Sequence, residues 1–156
     1  MILFAPDSYG GFLTAPEAVV LAEESRGDLR GHAMADGGEG SLAVLQAHEE
    51  VTLTRHPVHG PYGTPLQAAL GHTNDGCFLE SAEACGLRHT TRRAPLLAGT
   101  YGVGQLLAAC SAPTTIGLGG SATVDGGGGL LQGLGLTPMV SGKRLLRPFI
   151  ANDLVS

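Results

Sequence analysis

Thr114-Thr-Ile-Gly-Leu-Gly-Gly-Ser-Ala-Thr-Val-Asp-Gly-Gly-Gly-Gly-Leu-Leu-Gln132 is the stretch that decides the fold. The β-branched run Thr114 to Ile116 reads as a buried strand. Seven of the thirteen residues from Gly117 to Gly129 are then glycine, before Leu130-Leu131-Gln132 resumes as a helix. Glycines at that density cost chain entropy, so they mark places where the backbone takes positive φ or lies against a ligand. Strand, glycine loop and helix start is how α/β proteins aim backbone N–H groups at an anion. The stretch therefore points to an α/β chain with a phosphate site.

Two common phosphate motifs do not fit. A nucleotide-triphosphatase loop needs a Gly-Lys-Ser/Thr ending, and no lysine lies in this loop. Gly117-x-Gly119-x-x-Ala122 satisfies the loose dinucleotide fingerprint, but Thr137 to Pro148 holds no acid to grip a ribose. That argues against an oxidoreductase of the nicotinamide type. A purely structural glycine turn stays open as an alternative.

Outward from the loop, composition sets the class. With 156 residues and 43% apolar content the chain can bury a core, and its 25 glycines follow no repeat. A formal charge of −5 with a single lysine, Lys143, leaves no basic face for nucleic acid. No apolar run reaches membrane-span length, and the N-terminus lacks a charged leader, so the expectation is a cytoplasmic protein with no membrane partner. Cys77, Cys85 and Cys110 are odd in number and never spaced Cys-x-x-Cys, which favours buried thiols over a disulfide framework.

In chain order, Ile2 to Ala5 reads as a short central strand whose end carries Asp7 and Ser8. Thr14-Ala-Pro-Glu17 is a capping box opening a helix to about Glu24. Ser25 to Gly31 reads as a polar connection. Asp36-Gly-Gly-Glu39 then puts two carboxylates in one tight loop ahead of a helix over Ser41 to His48. That pair suits Mg²⁺ or a substrate proton, or alternatively the helix dipole alone. From Val51 the pattern changes to period two, and the turns at Gly60 to Gly63 and Asn74-Asp-Gly76 predict an antiparallel meander to Glu80. His56-x-x-His59 with His72 lacks an acid or thiol to complete a metal set. Glu80 to Leu87 is helix-forming, Arg88, Arg92 and Arg93 read as an exposed charged turn, and Thr100 is an N-cap for the helix that runs to Cys110.

Four segments in this order resemble the N-terminal part of the glycerate 2-kinase family (glycerate kinase type 1). They are Ala5-Pro-Asp7-Ser8-Tyr9, Ala35-Asp36-Gly-Gly-Glu39-Gly40, Glu80-Ser-Ala-Glu-Ala-Cys-Gly-Leu87 and Gly117-Leu-Gly-Gly-Ser121-Ala-Thr-Val-Asp125-Gly-Gly. His59 to Gly63 and Gly99 to Gly104 fall between them as expected. The resemblance implies a cytoplasmic enzyme that phosphorylates the 2-hydroxyl of glycerate from ATP and Mg²⁺. Its phosphate cradle would be Gly119, Gly120, Ser121, Ala122 and Thr123, with Asp7 and Ser8 on the same strand ends. Asp36, Glu39 and Asp125 would supply the catalytic acids, Asp36 and Asp125 also the metal ligands.

The chain departs from the family in three ways. Gly10 stands where the family has a lysine, Val124 stands where it has an asparagine, and family members are much longer. Ile150 to Ser156 resembles a strand that the family continues beyond. A truncated chain is thus one expectation, with little turnover alone and either a homo-oligomer or a missing C-terminal part covering its apolar surface. A non-catalytic remnant that binds a phosphate-bearing ligand is the alternative. The expected architecture is a mainly parallel sheet with flanking helices, a Rossmann- or flavodoxin-like lobe over 1–50 and 88–156, with an inserted or peripheral β-rich segment over 51–87.

Overall fold

The computed structural model describes residues 1–49, 51–91 and 93–155. The chain is α/β, with helices on both faces of a central sheet. β1 (Ile2–Phe4) leads to α1 (Ala15–Ser25), whose capping box forms: Thr14 Oγ1 accepts from Glu17 N at 3.3 Å, and Glu17 Oε2 accepts from Thr14 N at 2.8 Å. β2 (Leu29–Gly31) pairs parallel with β1. In sequence this segment reads as part of the polar connection Ser25 to Gly31. Three residues with a central arginine carry no apolar alternation, so the strand is defined by its partner.

α2 (Ser41–His48) precedes the meander β3 (Thr52–His59), β4 (Pro65–Thr73) and β5 (Gly76–Glu80), which is antiparallel as its turns require. After α3 (Ala82–Cys85) and α4 (Tyr101–Ala108), β6 (Thr114–Gly117) adds parallel to β5, giving the order β3-β4-β5-β6. α5 (Gly128–Gly133) follows the glycine loop, and β7 (Met139–Val140) and β8 (Lys143–Arg144) form a small hairpin. Ala151–Val155 is a 3-10 turn rather than the strand expected of Ile150 to Ser156, of which Ser156 lies outside the described residues. The Asp153 carboxylate decides this locally, accepting from Ile150 N at 3.0 Å and from both guanidinium ends of Arg147 at 2.6 and 2.8 Å.

Strand alternation divides the sheet. Val58, Ala68, Leu70, Cys77 and Leu79 point to one side and pack with Ala84, Cys85, Val103 and Leu106 of α3 and α4. Leu70, Leu79 and Leu106 are fully buried, each contributing roughly 1.5–3 kcal/mol over exposure. The opposite face, with Leu53, Arg55, Ala69 and Glu80, looks toward α2 and the β1–α1 connection, and the cleft opens between them. A disulfide joins Cys77 at the start of β5 to Cys110 beyond α4. Two of the three cysteines expected as buried thiols are therefore bonded, because residues far apart in sequence meet across the core. Cys85 is free and buried, and burial pushes its thiol pKa up. Among the described residues no helix is long and apolar enough to cross a membrane.

Candidate active-site cleft

The cleft has a volume of about 630 Å³. Asp7 and Ser8 line it from the end of β1, and Asp7 Oδ1 accepts from Ser8 N at 2.6 Å. Glu39 lines it from the loop before α2, while Asp36, exposed in the same loop, is not among its walls. Asp36 folds that loop: its Oδ1 accepts from Gly38 N at 2.7 Å. Gly40 then takes a left-handed φ of 96° as the N-cap of α2 and offers no side-chain cap.

That cap comes from across the sheet. Glu80, at the C-terminal tip of β5 and 1% exposed, accepts from Gly40 N at 3.0 Å and Leu42 N at 3.1 Å. Burial pushes its pKa above the ordinary carboxylate value, against the two amides and Arg88, which pull it down. In sequence Glu80 reads only as the junction of the meander and a helix-forming segment, with no capping role. A glutamate ending an apolar strand was the available signal, since buried carboxylates persist only with donors around them.

Arg88 is exposed as expected, but it is not a lone turn charge: it forms an ion pair with Glu83 and stands 3.6 Å from Glu39 and 3.8 Å from Glu80. Glu83 in turn accepts from Ala69 N at 2.7 Å. Three glutamates from a loop, a strand and a helix therefore meet around one guanidinium. Arg93 is exposed as expected, and Arg92 lies outside the described residues.

The glycine loop packs directly on the Asp36–Glu39 loop. A Cβ on Gly119 would lie 2.5 Å from Gly38 Cα, so only glycine permits this approach. Gly120 has φ of 62°, and a Cβ there would touch Glu39. Ala122 N is taken by Cys85 O at 2.8 Å, but among the described residues the amides of Gly119, Gly120, Ser121 and Thr123 have no protein acceptor. Gly120 and Ser121 are exposed. The Thr123 hydroxyl is spent on Ala98 O at 2.8 Å, and the Ser121 hydroxyl lies 3.6 Å from Cys85 Sγ. The loop adjoins the cleft through Glu39 without lining it.

Asp125 sits apart from the other acids in its role. It is 1% exposed. Its Oδ2 accepts from Thr100 N at 2.8 Å, Thr100 Oγ1 at 2.8 Å and Gly129 N at 3.0 Å, and its Oδ1 from Gly127 N at 3.2 Å. The Thr100 hydroxyl makes no cap to α4 and accepts instead from Leu130 N at 2.8 Å. Asp125 thus ties the start of α4 to the start of α5.

Among the described residues no three His, Cys, Asp or Glu side chains stand together as a metal set. Mg²⁺ needs less, one or two carboxylates plus phosphate oxygens and water. Asp36 and Glu39 fit that demand, being exposed beside free loop amides. The Asp125 carboxylate, enclosed by four protein donors, does not.

Comparison with known proteins agrees with the site's motifs. Over 148 residues the chain is 37% identical to a glycerate kinase of Bacillus subtilis (strain 168) and, equally, to a glycerate 2-kinase of Escherichia coli (strain K12), covering 86% of this chain and 39% of each relative. A solved structure from Salmonella typhimurium LT2, provisionally described as glycerate kinase 2, superposes with a TM-score of 0.72 at 31% identity, over 94% of this chain and 43% of that one. The chain thus spans about two-fifths of the length of the relatives it matches. The glycerate kinase family profile matches residues 2–155, taking in both glycine loops and the acids between them, and the chain belongs to that family.

Proposed function

We propose that the chain serves the ATP- and Mg²⁺-dependent phosphorylation of glycerate at its 2-hydroxyl, with glycerate and nucleotide as its partners in the cytoplasm. The carrying observation is the contact between two loops: Gly119 and Gly120, whose amides have no acceptor among the described residues, lie against the loop bearing Asp36 and Glu39. Phosphoryl transfer asks the protein for positioning, for charge stabilisation and for a group to take the hydroxyl proton. The amides would hold phosphate oxygens. Mg²⁺, when bound, neutralises phosphate charge, and Asp36 and Glu39 are the side chains placed to hold it. Glu39, which alone of the two lines the cleft, is the better placed to accept a proton from a substrate hydroxyl. Asp125 supports this site by fixing the far end of the glycine loop.

A second reading is a phosphate-ligand binding module without turnover. It draws support from Gly10, which lines the cleft at φ of 50° where the family carries a lysine, so the chain lacks that cation. The test is an assay with ATP, Mg²⁺ and D-glycerate, resolving 2- from 3-phosphoglycerate, beside calorimetric binding of Mg·ATP. Formation of 2-phosphoglycerate supports the first reading. Nucleotide binding without product supports the second, and absence of both refutes each.

A further inference from the structure

Arg55 lies midway along β3, opposite Ala69 of β4, and its exposed side chain lines the cleft. Among the described residues it has neither an ion pair nor a hydrogen bond to protein. The cleft's other arginine is committed: Arg88 is held by Glu83 with Glu39 and Glu80 close by. Of the remaining acids, Glu17 is bound to Thr14 and Asp7 to the Ser8 amide. Five acids and two arginines line the cleft, so its field repels an anion unless a cation with open donors meets it there. Arg55 is that cation. Its guanidinium presents a planar fork that matches a carboxylate with two parallel N–H···O bonds.

The position also separates two kinds of anion. The acceptor-free amides of the glycine loop lie outside the cleft wall, whereas Arg55 lies within it. Phosphate and carboxylate therefore have different places to bind. We propose that Arg55 anchors the carboxylate of a small organic acid in the cleft, so that the acid's hydroxyl end is left to the carboxylates on the other walls. This rests on the glycerate kinase reading only for the identity of the acid. The anchor itself requires a monocarboxylate and nothing more.

Calorimetry on the intact chain separates these. D-Glycerate, lactate and the carboxylate-free glycerol are titrated into the native protein, Arg55→Ala and Arg55→Lys, with inorganic phosphate and Mg·ATP titrated in parallel. Because Arg55 is exposed, both variants keep the native melting midpoint. Arg55→Ala is expected to weaken glycerate and lactate binding by about tenfold to a hundredfold, leaving phosphate and Mg·ATP unchanged. Arg55→Lys recovers only part of the loss, since a point charge replaces a fork. The proposal is overturned if the native protein binds neither acid, if Arg55→Ala binds them as tightly, or if it weakens phosphate or Mg·ATP instead. Acids bound through Arg55 with no phosphorylation of glycerate would leave the anchor standing and remove the kinase reading.

Discussion

Replacing Asp125 by alanine should act on stability before it acts on binding. The family resemblance implies the opposite: a catalytic acid and metal ligand whose loss weakens phosphate binding and leaves the fold intact. In the structure its carboxylate receives three backbone amides and one hydroxyl, and it is 1% exposed. Alanine would leave the amides of Thr100, Gly127 and Gly129 without an acceptor, and the Thr100 hydroxyl would lose the partner to which it donates. The three amides each cost about 1–3 kcal/mol when unsatisfied, those of Thr100 and Gly127 at the low end because both residues are half-buried and water can reach them. Water entering the vacated space recovers part of this, which leaves a loss of about 3 kcal/mol. Total stability for such a domain is about 5–15 kcal/mol, so the fraction is large.

At about 2–4 °C per kcal/mol for a chain of this size, the melting midpoint should fall by roughly 6–12 °C. Asp125→Asn supplies the control. Its amide oxygen can occupy the Oδ2 position and keep three of the four donors, while its NH₂ faces Gly127 N. It should lose only about 1–2 kcal/mol. Thermal unfolding followed by circular dichroism reads both variants. An alanine variant melting within about 1 °C of the native protein would show that the four bonds do not hold α4 to α5, and the reasoning would fail.

Other perturbations follow from the same geometry. The pKa of Glu80 is raised in the folded state, so its contribution to stability is complete below the ordinary carboxylate value and is lost as pH rises through the folded value. Melting midpoints of the native protein should therefore decline relative to Glu80→Gln as pH rises above the ordinary carboxylate value, and parallel profiles would contradict this. Gly119→Ala should push the two loops apart, because its Cβ would meet Gly38 Cα at 2.5 Å; a cost of about 1–3 kcal/mol and weaker Mg·ATP binding are expected. Gly27→Ala, with open space around it, is the control, and equal effects in the two would refute the steric argument. Reducing the Cys77–Cys110 bond, which joins residues 33 apart in sequence, should cost about 3.7 kcal/mol on the chain-entropy account. Melting with and without reductant measures it, after intact mass confirms the bond, and an unchanged midpoint counts against a structural role.

Local chemistry made much of the chain readable in advance. The capping box at Thr14 and Glu17 is a matter of four neighbouring residues, and it forms as written. The meander is announced by period-two alternation and its turns, whose glycines adopt positive φ at Gly63 and Gly76. The glycine loop and the Asp36-Gly-Gly-Glu39 loop could each be picked out by composition. β2 could not, because three residues have no pattern of their own.

What the residues by themselves determined was therefore the inventory: an α/β chain, its short-range elements and the motifs of a kinase family. Only the tertiary structure decided which groups face one another. Glu80 caps a helix 40 residues away, Asp125 reaches Thr100 across 25 residues, Arg88 gathers acids from three elements, and Arg55 has no partner among the described residues. The physical reason is range. Helix caps and turns are settled by contacts within a few residues, so sequence spacing encodes them. The worth of a charge depends on its burial and its partners, which chain folding alone brings together.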